Sequence, residues 1–159
     1  MQQINIVISG FTPYEGIDVN PAVLVPAAVA KQWADPAQSQ AISEELLQDI
    51  AVTVTNVTLP VSFAKAWPTL KETIEATKPN IVIATGLKHA ARGVMLERCA
   101  TNLMDAIKPD ADNVIPRREP IDPNGPAAYW TRLPLRSILN DFTDDSIPAT
   151  LSSDAGTFV

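Results

Sequence analysis

Ile4-Asn5-Ile6-Val7-Ile8-Ser9, closed by Gly10 and followed by Phe11-Thr12-Pro13-Tyr14, is the stretch on which the fold turns. Its apolar residues hardly alternate with polar ones, the pattern of a strand buried on both faces in a parallel sheet. After the loop through Asn20, Pro21 suits a helix's first turn, and an Ala/Val-rich run leads to Trp33 with Pro26 as a candidate kink. Strand, loop and helix thus form the opening unit.

The same alternation continues along the chain. Ala34 to Gln40 is small and polar and reads as a surface loop, and Ile42 to Ile50 has room for a short helix. Ala51 to Leu59 carries β-branched residues and stops at Pro60, giving a second strand. Phe63, Trp67, Leu70 and Ile74 recur at helical spacing, with Pro68 against the pattern, until Lys78-Pro79. Ile81 to Ala84 is a third buried strand ending near Gly86. Asp110 to Pro126 reads as an extended loop or lid. Leu135, Ile138, Leu139 and Phe142 mark one helix face, and Ala149 to Ser152 makes a last short strand. The expectation is one α/β domain over residues 1–159, a three-layer α/β/α sandwich with a mostly parallel twisted sheet.

A length of 159 residues accommodates one core, and 46% hydrophobic with 19% charged residues is the composition of a globular rather than a disordered chain. The net charge of -6 argues against a nucleic-acid partner, since the basic pair Arg117-Arg118 runs directly into Glu119. Met1-Gln2-Gln3 lacks the basic leader of a signal peptide, and no stretch reaches the ~18 apolar residues of a membrane span. A cytoplasmic location is expected. The single cysteine, Cys99, has no partner for an internal disulfide, in keeping with a reducing compartment.

Ligands of open α/β sheets bind beyond the carboxyl ends of the strands, which nominates Gly10 to Gly16, Gly86 to Asn102, and Ser153 to Val159. Phe11 and Tyr14 either anchor their loop against the core or wall a flat slot for a small planar ring. Glu97, in an apolar neighbourhood, needs a partner: an ion pair with Arg98 is one reading, the orienting acid of a nucleophile-base-acid set the other. Cys99 and His89 are the only thiol and imidazole. Cys99 nevertheless sits in an apolar strand where a thiol behaves as a small hydrophobe, and His89 reads as a surface loop residue. Gly86 to Gly93 fits no phosphate-loop spacing, and there is no HExxH or CxxC, so neither a metal nor a cofactor is expected.

Several of these segments, in order, resemble pyroglutamyl peptidase I, a cysteine peptidase family also called pyrrolidone-carboxylate peptidase. Phe11-Thr12-Pro13-Tyr14-Glu15-Gly16 resembles its FxPFGG loop, with Asn20-Pro21 where an Asn-Pro pair is expected. Leu59-Pro60-Val61-Ser62-Phe63 resembles LPVxF; Lys78-Pro79-Asn80-Ile81 with Gly86-Leu87 resembles KPDI…GL; and Glu97-Arg98-Cys99-Ala100-Thr101-Asn102 resembles ERVAxN. Gly125 to Pro134 is similar to GPAAYWTxLP, and Ser152 to Val159 to SNxAGTFVCN up to its cysteine.

The resemblance implies hydrolysis of the amide bond after an N-terminal pyroglutamyl residue, by a cysteine nucleophile with a histidine base. It assigns Glu97 to orienting that histidine. Phe11 and Tyr14 would hold the pyroglutamyl ring, Phe158 and Val159 would wall the pocket before the nucleophile, and backbone near Val61 and Leu87 would contact the lactam. Leu87 stands where the family has glutamine or leucine, Glu15 replaces a glycine, and Arg92-Gly93 is a shifted Gly-Arg pair. Ile107, followed by Lys108, stands where an arginine near the reacting carbonyl is expected. The nucleophile and base would lie beyond Val159, so the 159 residues are expected to lack peptidase activity alone and to be marginally stable unless oligomerised. Peptides with N-terminal pyroglutamate and further copies of the chain, as a dimer or tetramer, are the implied partners. A non-catalytic module that keeps the pocket or a subunit interface is the alternative.

Overall fold

The structure, a computed structural model, describes residues 2–40 and 49–159. Its packing divides into two compact units, Met1–Leu87 and Lys88–Val159.

In the first unit, β1 (Gln2–Phe11) is the middle strand of a three-stranded sheet, between β2 (Ile50–Leu59) and β3 (Ile81–Ala84), with both pairings parallel. Val7 and Ile8 at the centre of β1 and Leu59 at the end of β2 are buried, as a doubly covered strand requires. The strand is longer at both ends than its apolar run, because β2 offers ladder partners from Gln2↔Ile50 to Phe11↔Leu59. Two helices pack against β1 and β2: α1 (Pro21–Ala34) and α2 (Ala66–Thr77).

Helix α1 starts as Asn20-Pro21 foretells: Asn20 Oδ1 accepts the Ala22 N–H at 2.9 Å, and Pro21 takes the first helical position. The helix runs through Pro26 as one element, and Pro26 is buried. Lacking an N–H, Pro26 leaves the Ala22 carbonyl without its ordinary helical donor. That carbonyl faces Thr85 Oγ1 at 3.4 Å and packs over Gly10, where a Cβ would lie only 1.4 Å from it. A side chain at position 10 would therefore push α1 off the sheet.

Helix α2 starts at Ala66 rather than Phe63, after a turn in which Ser62 accepts the Lys65 N–H through its hydroxyl and the Ala66 N–H through its carbonyl. Pro68 thereby falls in the first turn, where no helical N–H is lost. Lys78 closes the helix in the left-handed region at φ 46.

The loop expected over Ala34 to Gln40 is in part helical, at residues 36–40. Asp35-Pro36 is the cause: Asp35 Oδ1 accepts the Ala37 N–H at 3.0 Å, and Pro36 has a preset φ. The short helix expected from Ile42 lies outside the described residues up to position 48, while Asp49 is in a turn and Ile50 opens β2.

The second unit contains two strand pairs. β4 (Val94–Glu97) and β7 (Ala149–Ser152) are parallel, in register from Val94↔Ala149 to Glu97↔Ser152. β5 (Cys99–Thr101) and β6 (Ala128–Trp130) are antiparallel. Helix α3 (Leu135–Asp144) packs on β7. Arg98 joins the two ladders: its N–H donates to the Ser152 carbonyl at 2.8 Å and its carbonyl accepts the Thr131 N–H at 3.0 Å. The segment read as an extended loop or lid is tied back along residues 102–106. Asn102 and Asp122 exchange side-chain and backbone hydrogen bonds at 2.7 and 2.8 Å, and Met104 and Glu119 exchange backbone bonds at 2.7 and 3.0 Å. Buried Asp110 shapes its start by accepting the Asp112 and Val114 N–H groups on one carboxylate oxygen.

Candidate functional site

The sequence-predicted residues fall into two sets, one in each unit. In the first unit, Phe11 is the last residue of β1, Val61 lies two positions past the end of β2, and Leu87 three past the end of β3. Because the three strands are parallel, these positions share the sheet's carboxyl edge. Val61 is buried, Phe11 and Tyr14 are half-buried, and Leu87 is exposed.

The loop carrying Phe11 and Tyr14 is fastened at both ends. The Thr12 N–H donates to the Leu59 carbonyl at 3.0 Å, extending the β1-β2 ladder. Asn20 Nδ2 donates to the Phe11 carbonyl at 2.9 Å while its Oδ1 caps α1, so one buried side chain joins loop and helix. At the turn itself Glu15 has φ 51 and Gly16 φ 74. Glycine suits that left-handed backbone, and Glu15 adopts it at a steric cost. Asn20 is a tie between loop and helix that the sequence reading values only as part of a motif; its signal is the N-cap residue directly before a proline.

In the second unit, Glu97 ends β4 beside Ser152, which ends β7, again at the carboxyl end of parallel strands. Its Oε2 is buried and has no hydrogen-bond partner among the described residues. The ion pair with Arg98 is not formed: Arg98 Nε donates to Ser153 Oγ at 2.9 Å instead. A buried carboxylate oxygen without a donor is costly.

The segment from Ser152 to Phe158 is tied to its surroundings at several points. Besides the Arg98 bond to Ser153, Lys88 Nζ donates to the Asp154 carbonyl at 3.0 Å, and Asp154 Oδ1 accepts the Gly156 N–H at 3.0 Å. Thr157 clasps Asp105 twice, its carbonyl accepting the Asp105 N–H at 3.1 Å and its hydroxyl donating to the Asp105 carbonyl at 2.6 Å. Phe158, half-buried, carries the Lys108 ammonium 5.0 Å above its ring centroid. Ile107, at the position where the resemblance called for an arginine, is 92% exposed.

Cys99 is a half-buried free thiol opening β5, and His89 lies in an exposed turn; no hydrogen bond joins them among the described residues. Among the described residues no group of three His, Cys, Asp or Glu side chains is placed to hold a metal ion, and no helix is long and apolar enough to cross a membrane.

These observations define a mixed α/β protein with mostly parallel strand pairing that presents its candidate residues at strand carboxyl ends. The chain belongs to the pyroglutamyl peptidase family, whose sequence profile matches residues 4–159. It is 34% identical over 154 residues to the pyrrolidone-carboxylate peptidase of Bacillus licheniformis, covering 97% of this chain and 65% of that relative. The pyrrolidone-carboxylate peptidase of Thermococcus onnurineus is 32% identical over 156 residues, covering 98% and 70%. Among solved structures, pyroglutamyl peptidase I from Bacillus amyloliquefaciens superposes with a TM-score of 0.82 at 30% identity, over 98% of this chain and 68% of that one. The chain thus spans about two thirds of the length of the relatives it matches, and 65% of the Bacillus licheniformis relative.

Proposed function

We propose that this chain supplies the substrate pocket and the orienting carboxylate of a cysteine-type pyroglutamyl peptidase, which removes N-terminal 5-oxoproline from peptides. The observation that carries the reading is Glu97 at the carboxyl end of β4, with a buried Oε2 that no donor among the described residues satisfies. An imidazole N–H is the donor such an oxygen suits: the carboxylate fixes the tautomer, the opposite ring nitrogen takes the thiol proton, and the thiolate attacks the carbonyl. In the first unit Phe11, Tyr14 and Val61 supply apolar surface for the flat lactam, and backbone at Val61 and Leu87 offers it polar contacts; in the second unit Phe158 and Val159 are further apolar candidates for substrate contact. An uncharged lactam needs no ion-pairing partner, in keeping with this lining.

That no hydrogen bond joins Cys99 and His89 among the described residues favours a second reading for the 159 residues by themselves, that they hold the pyroglutamyl end without hydrolysing it. Assembly with further copies of the chain as a dimer or tetramer belongs to the same proposal, as does a cytoplasmic location, which the single cysteine supports.

The test pairs a pyroglutamyl-coumarin hydrolysis assay of the 159-residue polypeptide with a titration by a pyroglutamyl peptide. Saturable binding without turnover is expected. Turnover that Cys99→Ala abolishes would make Cys99 the nucleophile and overturn the site assignment; absence of binding would overturn the pocket.

A further inference from the structure

We propose that an open cavity at the start of α3 binds the carboxyl-terminal end of a peptide through two arginines. The cavity has a volume of about 390 Å³, and its lining includes Arg98, Trp130, Leu133, Arg136 and Leu151, all within the second unit. That volume is in the range of small-ligand sites and holds more than a single ion. The inference is independent of the function proposed above, since it involves neither a pyroglutamyl group nor Glu97.

Charge is the first argument. The chain carries a net charge of -6, yet this cavity is lined by two guanidiniums and no acidic residue. Arg98 donates through Nε to Ser153 Oγ at 2.9 Å. Among the described residues, neither its Nη groups nor any part of the Arg136 guanidinium takes part in a hydrogen bond or an ion pair. The bond to Ser153 thus holds one guanidinium in place and leaves its remaining N–H donors for a ligand. Such a fork of donors matches the two oxygens of a carboxylate.

The apolar lining is the second argument. Trp130 is 68% exposed, and it shares the cavity with Leu133 and Leu151. An indole open to solvent beside two cations offers surface to the side chain that accompanies a carboxylate. A bare inorganic anion would use the arginines alone. A peptide that ends in an apolar residue uses both parts, its terminal carboxylate on the guanidiniums and its last side chain on the indole and leucines.

The experiment uses the whole chain with Trp33→Phe and Trp67→Phe, which leaves Trp130 as its one indole and as the reporter of the cavity. Three probes are titrated by fluorescence: N-acetyl-Ala-Leu with a free carboxylate, the same dipeptide as its terminal amide, and sodium acetate. The free acid is expected to saturate and to bind about 3- to 10-fold more tightly than the amide, the scale of charge-assisted pairing at an exposed site. Arg136→Met should weaken the free acid about 3-fold or more while leaving the amide unchanged, which also shows that the variant is folded; Arg136→Lys should weaken it less. Equal binding of acid and amide would make Trp130 an adhesive surface only and overturn the proposal. So would a free acid that binds no more tightly than acetate, which would reduce the cavity to adventitious anion binding. An amidated peptide with an internal aspartate that matches the free acid would assign the arginines to acidic side chains and overturn the terminal-carboxylate reading, and a chain with no saturable response has no such site.

Discussion

Replacing Asn20 tests whether one side chain couples the helix to the loop that bears Phe11 and Tyr14. Asn20 is 6% exposed and does two things: Oδ1 caps α1 at Ala22, and Nδ2 donates to the Phe11 carbonyl. Asn20→Ser keeps a capping oxygen but is too short to donate to Phe11, so it removes the second function alone. Leaving a carbonyl at this part-buried position without its donor costs about 1 to 3 kcal/mol. Asn20→Ala loses the cap as well, a further ~1 kcal/mol, for a total of about 2 to 4 kcal/mol. Against a domain stability of about 5 to 15 kcal/mol that is a large fraction. Urea unfolding should be followed by the fluorescence of Trp33 and Trp67, which lie in the first unit, with Trp130→Phe introduced into every protein compared. The expected order of midpoints is the Asn20 parent, then serine, then alanine, with faster amide exchange over residues 11–16 in both variants. A serine variant within about 0.5 kcal/mol of the parent would refute the tie to Phe11, and equal serine and alanine variants would refute the cap.

Gly10→Ala places a methyl group 1.4 Å from the Ala22 carbonyl oxygen, a backbone atom that cannot step aside. A loss of at least about 3 kcal/mol is expected, seen as a collapse of soluble yield or thermal midpoint, and a variant of near-native stability would show that α1 does not pack as described. Glu97→Gln removes negative charge from a carboxylate whose Oε2 is buried without a donor. Its thermal midpoint should equal or exceed that of wild type while pyroglutamyl peptidase function is lost from any active form; a drop of more than about 4 °C would reveal a structural role for the charge.

The elements legible in the sequence are those whose pattern and stop signal agree. β1, β2 and β3 each join β-branched or apolar runs to Gly10, Pro60 or Gly86, and α1 begins at Asn20-Pro21. Strands β4 and β6 escape such a reading because they run on into Arg98 and Thr131, with no Gly or Pro directly after them to mark a stop. They exist through pairing with β7 and β5, partners remote in sequence. Residues 36–40 read as loop on their small polar composition, although Asp35-Pro36 already carries the helix-start chemistry. The sequence nominates candidate residues as three strand-end segments and, through the family resemblance, by name. What holds those segments in place is not, since Arg98, Lys88 and Asp105 act on partners 52 to 66 positions away.

Glu97 and Arg98 show why adjacency misleads. Successive side chains in a strand leave on opposite faces, so an acid at the last position of β4 and a base directly after it are poorly placed to pair, however natural the pair looks in one dimension. Arg98 finds Ser153 beyond the end of β7, and Glu97 is left with an oxygen that the described residues do not satisfy. A purely structural carboxylate would be paired or replaced by an apolar residue, because either change removes the desolvation cost. An unpaired one at the carboxyl end of parallel strands, where substrates bind, makes sense as a group whose donor belongs to the reaction. Charge separates the two roles: Glu97→Asp, shorter by one methylene, should restore part of what Glu97→Gln loses in function, whereas a packing role would rank the isosteric glutamine above aspartate.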